Sequence, residues 1–98
     1  MRVVWSARAR TRLAEIHDYI AESSRERALG VVERILARSE QLALVPRSGH
    51  KLGAFSDDEV RELLERPFRM IYRIETERVV ILTVKHYRQR LIERPADF

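Results

Sequence analysis

The chain has 98 residues, 19 Lys and Arg against 15 Asp and Glu, a formal charge of +4 and no cysteine. That length suits one modest hydrophobic core, residues 1–98 forming a single domain. The absent cysteines exclude a disulfide framework and a thiolate zinc site, and no apolar run approaches the ~20 residues that span a bilayer. All the cations except Lys51 and Lys85 are arginine. Arginine's planar fork matches phosphate and carboxylate, so the composition favours nucleic acid or an acidic protein as partner. A merely solvated surface, or a high-GC coding sequence, produces the same bias.

Taken in order, Met1 to Trp5 reads as a short apolar strand rather than a signal peptide, and Ser6 is placed to cap a helix. From Ala7 to Glu22 the residues Leu13, Ile16, His17 and Ile20 recur on one helical face, with Arg8, Arg12, Glu15, Asp18 and Glu22 opposite. His17 reads as a boundary residue and Trp5 as a packing residue. Ser23 and Glu26 stand at capping-box spacing, opening a second amphipathic helix from Arg25 to Ala43. Gly30 weakens that helix near its start. The short link implies an antiparallel helical hairpin, which Pro46 ends. Arg47 to Asp58, with Gly49 and Gly53, reads as a polar loop.

The segment from Val60 to Leu91 organises the rest. Val60 to Leu64 alternates and breaks at Pro67, Phe68 to Ile74 resumes, Glu75-Thr76-Glu77 turns, and Val79 to Val84 continues, as in a three-stranded antiparallel meander. Phe68, Met70, Tyr72 and Ile74 share one face, so Tyr72 reads as core. Arg69 and Arg73 share the other, where Glu62 or Glu75 is a possible ladder partner. The sheet is expected to have one apolar and one cationic side, ending in the basic, aromatic run Lys85-His86-Tyr87-Arg88-Gln89-Arg90. The order β-α-α-β-β-β gives an α+β fold, a small mainly antiparallel sheet packed by an N-terminal helical hairpin. His17, His50 and His86 show no ligand spacing, and no phosphate-binding glycine loop is present, so no metal and no cofactor is expected.

The stretches Trp5-Ser6-Ala7-Arg8-Ala9, Leu13 to Glu22, Val60-Arg61-Glu62-Leu63, Phe68 to Ile74, and Val79 to Val84 with Lys85-His86 carry a resemblance. In that order and spacing the chain resembles the ParE/RelE superfamily of toxins from bacterial type II toxin–antitoxin systems. The resemblance covers nearly the whole length, and the family fold matches the arrangement above. It implies a cytoplasmic toxin and a cognate, ParD-like antitoxin.

Two activities are implied by the two branches. ParE-like members poison DNA gyrase by protein contact, with no known hydrolytic site. RelE-like members cut messenger RNA on the ribosome, which requires a proton acceptor, phosphate-binding cations and a donor to the leaving oxygen. Under the RelE pattern Arg69 matches the phosphate-binding arginine, Arg61 replaces the first strand lysine, and His86, Tyr87 and Arg88 supply an acid and a stacking ring; Leu63 falls where a second lysine belongs. The long first helix and the Val84-Lys85-His86-x-Arg88 ending resemble the ParE branch more closely, so gyrase inhibition is the favoured reading and no catalytic residue is expected. Tyr87 in place of a glycine keeps the ribonuclease alternative open. Target or antitoxin contacts are expected at Arg61, Arg69, Arg73, Lys85, His86, Arg88 and Arg90, with an acidic antitoxin tail meeting Arg61, Arg69 and Arg73. A non-toxic basic binding module is the third reading.

Overall fold

Val3, Val4 and Trp5 favour a strand, and Ser6 decides where it stops. In the computed structural model, which describes residues 1–52 and 59–86, strand β1 spans Arg2–Trp5 and helix α1 spans Ala7–Ala21. Ser6 keeps an extended backbone, and its Oγ accepts the Ala9 N–H at 3.0 Å and donates to the Leu82 carbonyl at 3.2 Å. One hydroxyl thus caps the helix and ties it to the sheet. Helix α2 spans Arg25–Glu40 and is capped by Ser24, whose Oγ accepts the Arg27 N–H at 3.1 Å. The capping-box spacing of Ser23 pointed one residue early: the Ser23 and Ser24 N–H groups both close α1 onto the Ile20 carbonyl at 3.0 Å, and it is the Ser24 side chain that caps α2. The α-helix also stops at Glu40 rather than Ala43, tightening into a 3₁₀ turn over Gln41–Ala43.

The remaining strands are β2 (His50–Lys51), β3 (Val60–Glu65), β4 (Phe68–Ile74) and β5 (Arg78–His86). They form one sheet in the order β1-β5-β4-β3-β2, with β1 parallel to β5 and the other neighbours antiparallel. The α+β fold, the helical hairpin and the meander are as the periodicity predicts. Two features differ. The expected polar loop contains a 3₁₀ turn at Pro46–Ser48 and the two-residue strand β2, too short to show alternation. The final strand also runs past Val84 to include Lys85 and His86, and Lys85 is buried. The part of that loop from 53 to 58, and the residues from 87 to 98, lie outside the described residues.

A bulge sets the side chains of β5. Ile71 faces Thr83, but the next residue, Tyr72, faces Ile81, so Leu82 is an extra residue on β5. Ile81 and Val84 can therefore both point at the helices, which a regular strand with period two forbids. The helix-facing core contains Leu63, Met70, Tyr72, Ile81 and Val84 packed on Ala9, Val31, Ile35 and Leu42. The opposite sheet face holds a second buried cluster of Val60, Ile71 and Leu82, flanked by Leu52 and Val80. The face expected to be cationic is therefore half apolar. No helix among the described residues is long and apolar enough to cross a membrane.

Candidate functional site

Arg69 sits on the sheet face away from the helices, as alternation predicts, with Leu64 and Lys85 as its cross-strand neighbours. Its guanidinium reaches diagonally to Glu62 at 2.6 Å, and both side chains are largely buried. Such a pair is held in place by its own charges and is not an idle cation. Arg73 lies on the same face, opposite Val60 and Val80.

Arg61 is on the other face. Its ladder partner is Tyr72, whose ring belongs to the helix-side core, and its Nη1 donates to the carbonyls of Gly49 at 3.1 Å and Arg47 at 3.3 Å. Tyr72 completes the knot: its hydroxyl donates to the Pro46 carbonyl at 2.7 Å and accepts the Gly49 N–H at 2.9 Å. Burial raises the Tyr72 phenol above its usual value of 10.0, against the opposing pull of the Gly49 hydrogen bond and the nearby Arg61. Arg61, expected to meet the same acidic tail as Arg69 and Arg73, thus lies on the other face of the sheet from them. Arg61 fastens the 46–49 turn to β3, and only Arg69 and Arg73 of the three share a face.

At the far end of the sheet His86 packs edge-on against Phe68, with ring centroids 6.1 Å apart. They are register partners, so His86 also lies on the helix side. There the sheet and the helical hairpin diverge, leaving a cleft of about 570 Å³ lined in part by Lys85 and His86. Its floor is Ile16 and Ile20 of α1, Val31 of α2, Phe68 and Val84. Ile16 and Ile20 are only half-buried, because one side of each borders this opening. Arg12, Arg27, Arg34 and Tyr19 stand around it. Sequence reasoning missed these rim residues by concentrating on the sheet. The signal was present in α2, where Arg27 and Arg34 flank the core position Val31 at helical spacing. The predicted contacts at Tyr87, Arg88 and Arg90 lie outside the described residues. Among the described residues no cluster of His, Cys, Asp or Glu is arranged to hold a metal ion.

Residues 3–91 match the family model described as "ParE toxin of type II toxin-antitoxin system, parDE". The chain is 37% identical over 89 residues, 91% of each chain, to the Sinorhizobium fredii protein named "Putative toxin Y4kP". Its fold is similar to a solved chain of the chromosomal ParDE toxin–antitoxin system from P. aeruginosa, with a TM-score of 0.73 and 29% identity, covering 88% of this chain and 95% of that one. It is also similar to a chain of the RelBE2 toxin–antitoxin complex from Mycobacterium tuberculosis, with a TM-score of 0.59 and 27% identity, covering 87% and 95%.

Proposed function

The chain belongs to the ParE toxin family of type II toxin–antitoxin systems, and from that premise we propose that it inhibits DNA gyrase by direct contact and is held inactive by a cognate, ParD-like antitoxin. The observation that carries this reading is the dispersal of Arg61, Arg69 and His86, the members of the ribonuclease set among the described residues. Arg69 faces away from the helices and is paired with Glu62, whereas Arg61 and His86 are on the helix side. Arg61 is level with Tyr72 and His86 with Phe68, so at about 3.3 Å per residue they are ~13 Å apart along the strands. A general acid must come within hydrogen-bond reach of the atom it serves, about 2.6–3.2 Å. Groups on two faces and two ends of a sheet do not meet around one phosphate. A toxin that does not gather these groups among its described residues is read as acting by occupying its target, in the cytoplasm where gyrase works.

The antitoxin part of the proposal is supported by the two solved relatives, both described as parts of toxin–antitoxin systems. Purified chain added to translating ribosomes is expected to leave the A-site codon uncut and, in a separate experiment, to co-migrate with purified gyrase on size exclusion. Clean cuts within the codon would replace gyrase inhibition with the RelE-type activity. Induced expression without growth arrest would instead favour the non-toxic binding module.

A further inference from the structure

Ala28, Val31 and Ile35 turn α2 to the core, while Leu29, Val32 and Leu36 follow a second stripe about 100° round the same helix. Leu29 is 55% exposed and Leu36 39%. Val32 and Leu36 line, with Leu13, Ala14 and Trp5, a groove of about 520 Å³ on the outside of the hairpin. Two side chains of opposite charge, Arg10 and Asp18, line it as well. They stand eight residues apart on α1, ~12 Å along its axis, with Ala14 midway. Within one chain they are too far apart to pair. Arg10 donates one N–H to the Trp5 carbonyl at 2.9 Å and makes no ion pair among the described residues. One oxygen of Asp18 lies 3.0 Å from His17 Nδ1, and the Asp18 side chain is 80% exposed. Both charges are thus oriented from within the chain and keep capacity for a further partner.

We infer that this face is self-complementary and pairs two copies of the chain about a two-fold axis at Ala14, with antiparallel α1 helices and Arg10 of each copy against Asp18 of the other. Arg10, Ala14 and Asp18 form an i, i+4, i+8 row, the ridge that interdigitates in the commonest helix packing, at about −50°. Alanine at the crossing lets the axes approach to the near end of the usual range of about 8–10 Å. Because Ala14 is halfway between the two charges, a single axis forms both ion pairs. Charge also selects the occupant. Besides Arg10 and Asp18, the exposed Arg25, Glu33 and Glu40 lie along α2 beside the apolar stripe, so the face is of mixed sign. It offers no cationic field to nucleic acid or to an acidic segment. What it fits is a helix with a cation and an anion eight residues apart around a small residue, and α1 is such a helix. Two helices side by side, each ~22 Å long and ~10 Å wide, offer ~450 Å² per copy and ~900 Å² in all, the low end for a specific interface. A dimer of that size is transient and dissociates at micromolar concentration. The groove shares no lining residue with the cleft that holds Lys85 and His86, and pairing there does not depend on what the toxin acts on.

Sedimentation equilibrium of the purified full-length chain at physiological salt, from ~1 to ~100 µM, tests this pairing. Wild type is expected to pass from monomer to dimer across that range. Arg10→Asp and Asp18→Arg each bring like charges together twice, and each is expected to weaken self-association at least about tenfold. An equimolar mixture of the two variants is expected to recover to within about threefold of wild type, because the mixed dimer restores both pairs. Ala14→Glu, which sets two carboxylates on the axis, is expected to stay monomeric. Trp5, the only tryptophan, gives a second readout: its emission is expected to shift to the red as wild type is diluted, with the midpoint seen in sedimentation. Unfolding midpoints establish that each variant is folded. A wild type that stays monomeric throughout would overturn the inference, and so would a dimer that none of the substitutions weakens. A mixture that stays monomeric would overturn it too, since the two charges would then not meet across the axis. If wild type is monomeric and the single variants instead release a purified cognate antitoxin faster, the face belongs to that partner and self-pairing is refuted.

Discussion

Gly49 is where a single methyl group tests the packing logic most sharply. Its φ of −75° suits any residue, so the case for glycine is one of space. A Cβ at this position would lie 2.6 Å from the Glu62 carbonyl oxygen and 2.7 Å from Tyr72 Cε1, with the Tyr72 hydroxyl closer still. Neither neighbour yields easily: one is backbone of β3, and the other is a fully buried ring. Gly49→Ala must therefore lift the 46–49 turn, and overpacking of this kind costs about 1–3 kcal/mol. Lifting the turn also breaks the Tyr72 hydrogen bonds and takes two carbonyls from buried Arg61, adding about 1–3 kcal/mol for polar groups left unsatisfied. Reduced freedom of the unfolded chain returns only about 0.4–1 kcal/mol. The net expectation is a loss of about 1–5 kcal/mol from a domain of roughly 5–15 kcal/mol. In urea, where slopes are about 1–3 kcal/mol/M, the midpoint should fall by roughly 1 M at unchanged slope. A midpoint equal to that of wild type would refute the reasoning.

Gly30→Ala should do the opposite, stabilising by about 0.5–1 kcal/mol in the same titration, because nothing lies within 4 Å of the added Cβ and the site is inside α2. Ser24→Ala should cost about 1 kcal/mol, whereas Ser23→Ala should cost little; the reverse order would move the cap. Arg69→Met and Glu62→Gln should each destabilise by about 1–3 kcal/mol, and the double variant should cost clearly less than their sum; additivity would show that the pair is not coupled. The raised Tyr72 phenol has a pH signature. Its contribution is fully present below the unfolded value near 10 and is lost as pH rises through the higher folded value, so wild type should lose stability on alkaline titration more steeply than Tyr72→Phe. Parallel alkaline profiles would contradict that assignment.

The parts of the fold that follow from local chemistry were legible in the sequence. Ser6 caps α1 as its side chain and position require, and Phe68–Ile74 is a strand because its apolar residues alternate. What stayed hidden depends on register. In Val60–Glu65 both faces carry apolar residues, Val60 and Leu64 on one and Leu63 on the other, so alternation does not say which face holds Arg61. The pairing of Arg61 with Tyr72 decides it. The β5 bulge was equally hidden, since Val79 to Val84 is apolar nearly throughout and gives no sign that Leu82 is the extra residue. The cleft is further from reach, because its walls come from α1, α2, β4 and β5 and exist only once they are packed.

The proposed toxin stops its target by binding and not by cutting. Supercoiling of relaxed plasmid by purified gyrase and ATP, followed as the toxin is titrated in, measures that most directly. With gyrase as the target, supercoiling falls with toxin concentration and returns when a cognate antitoxin is added. Supercoiling that persists at saturating toxin, from a preparation that still arrests growth when expressed, would contradict it.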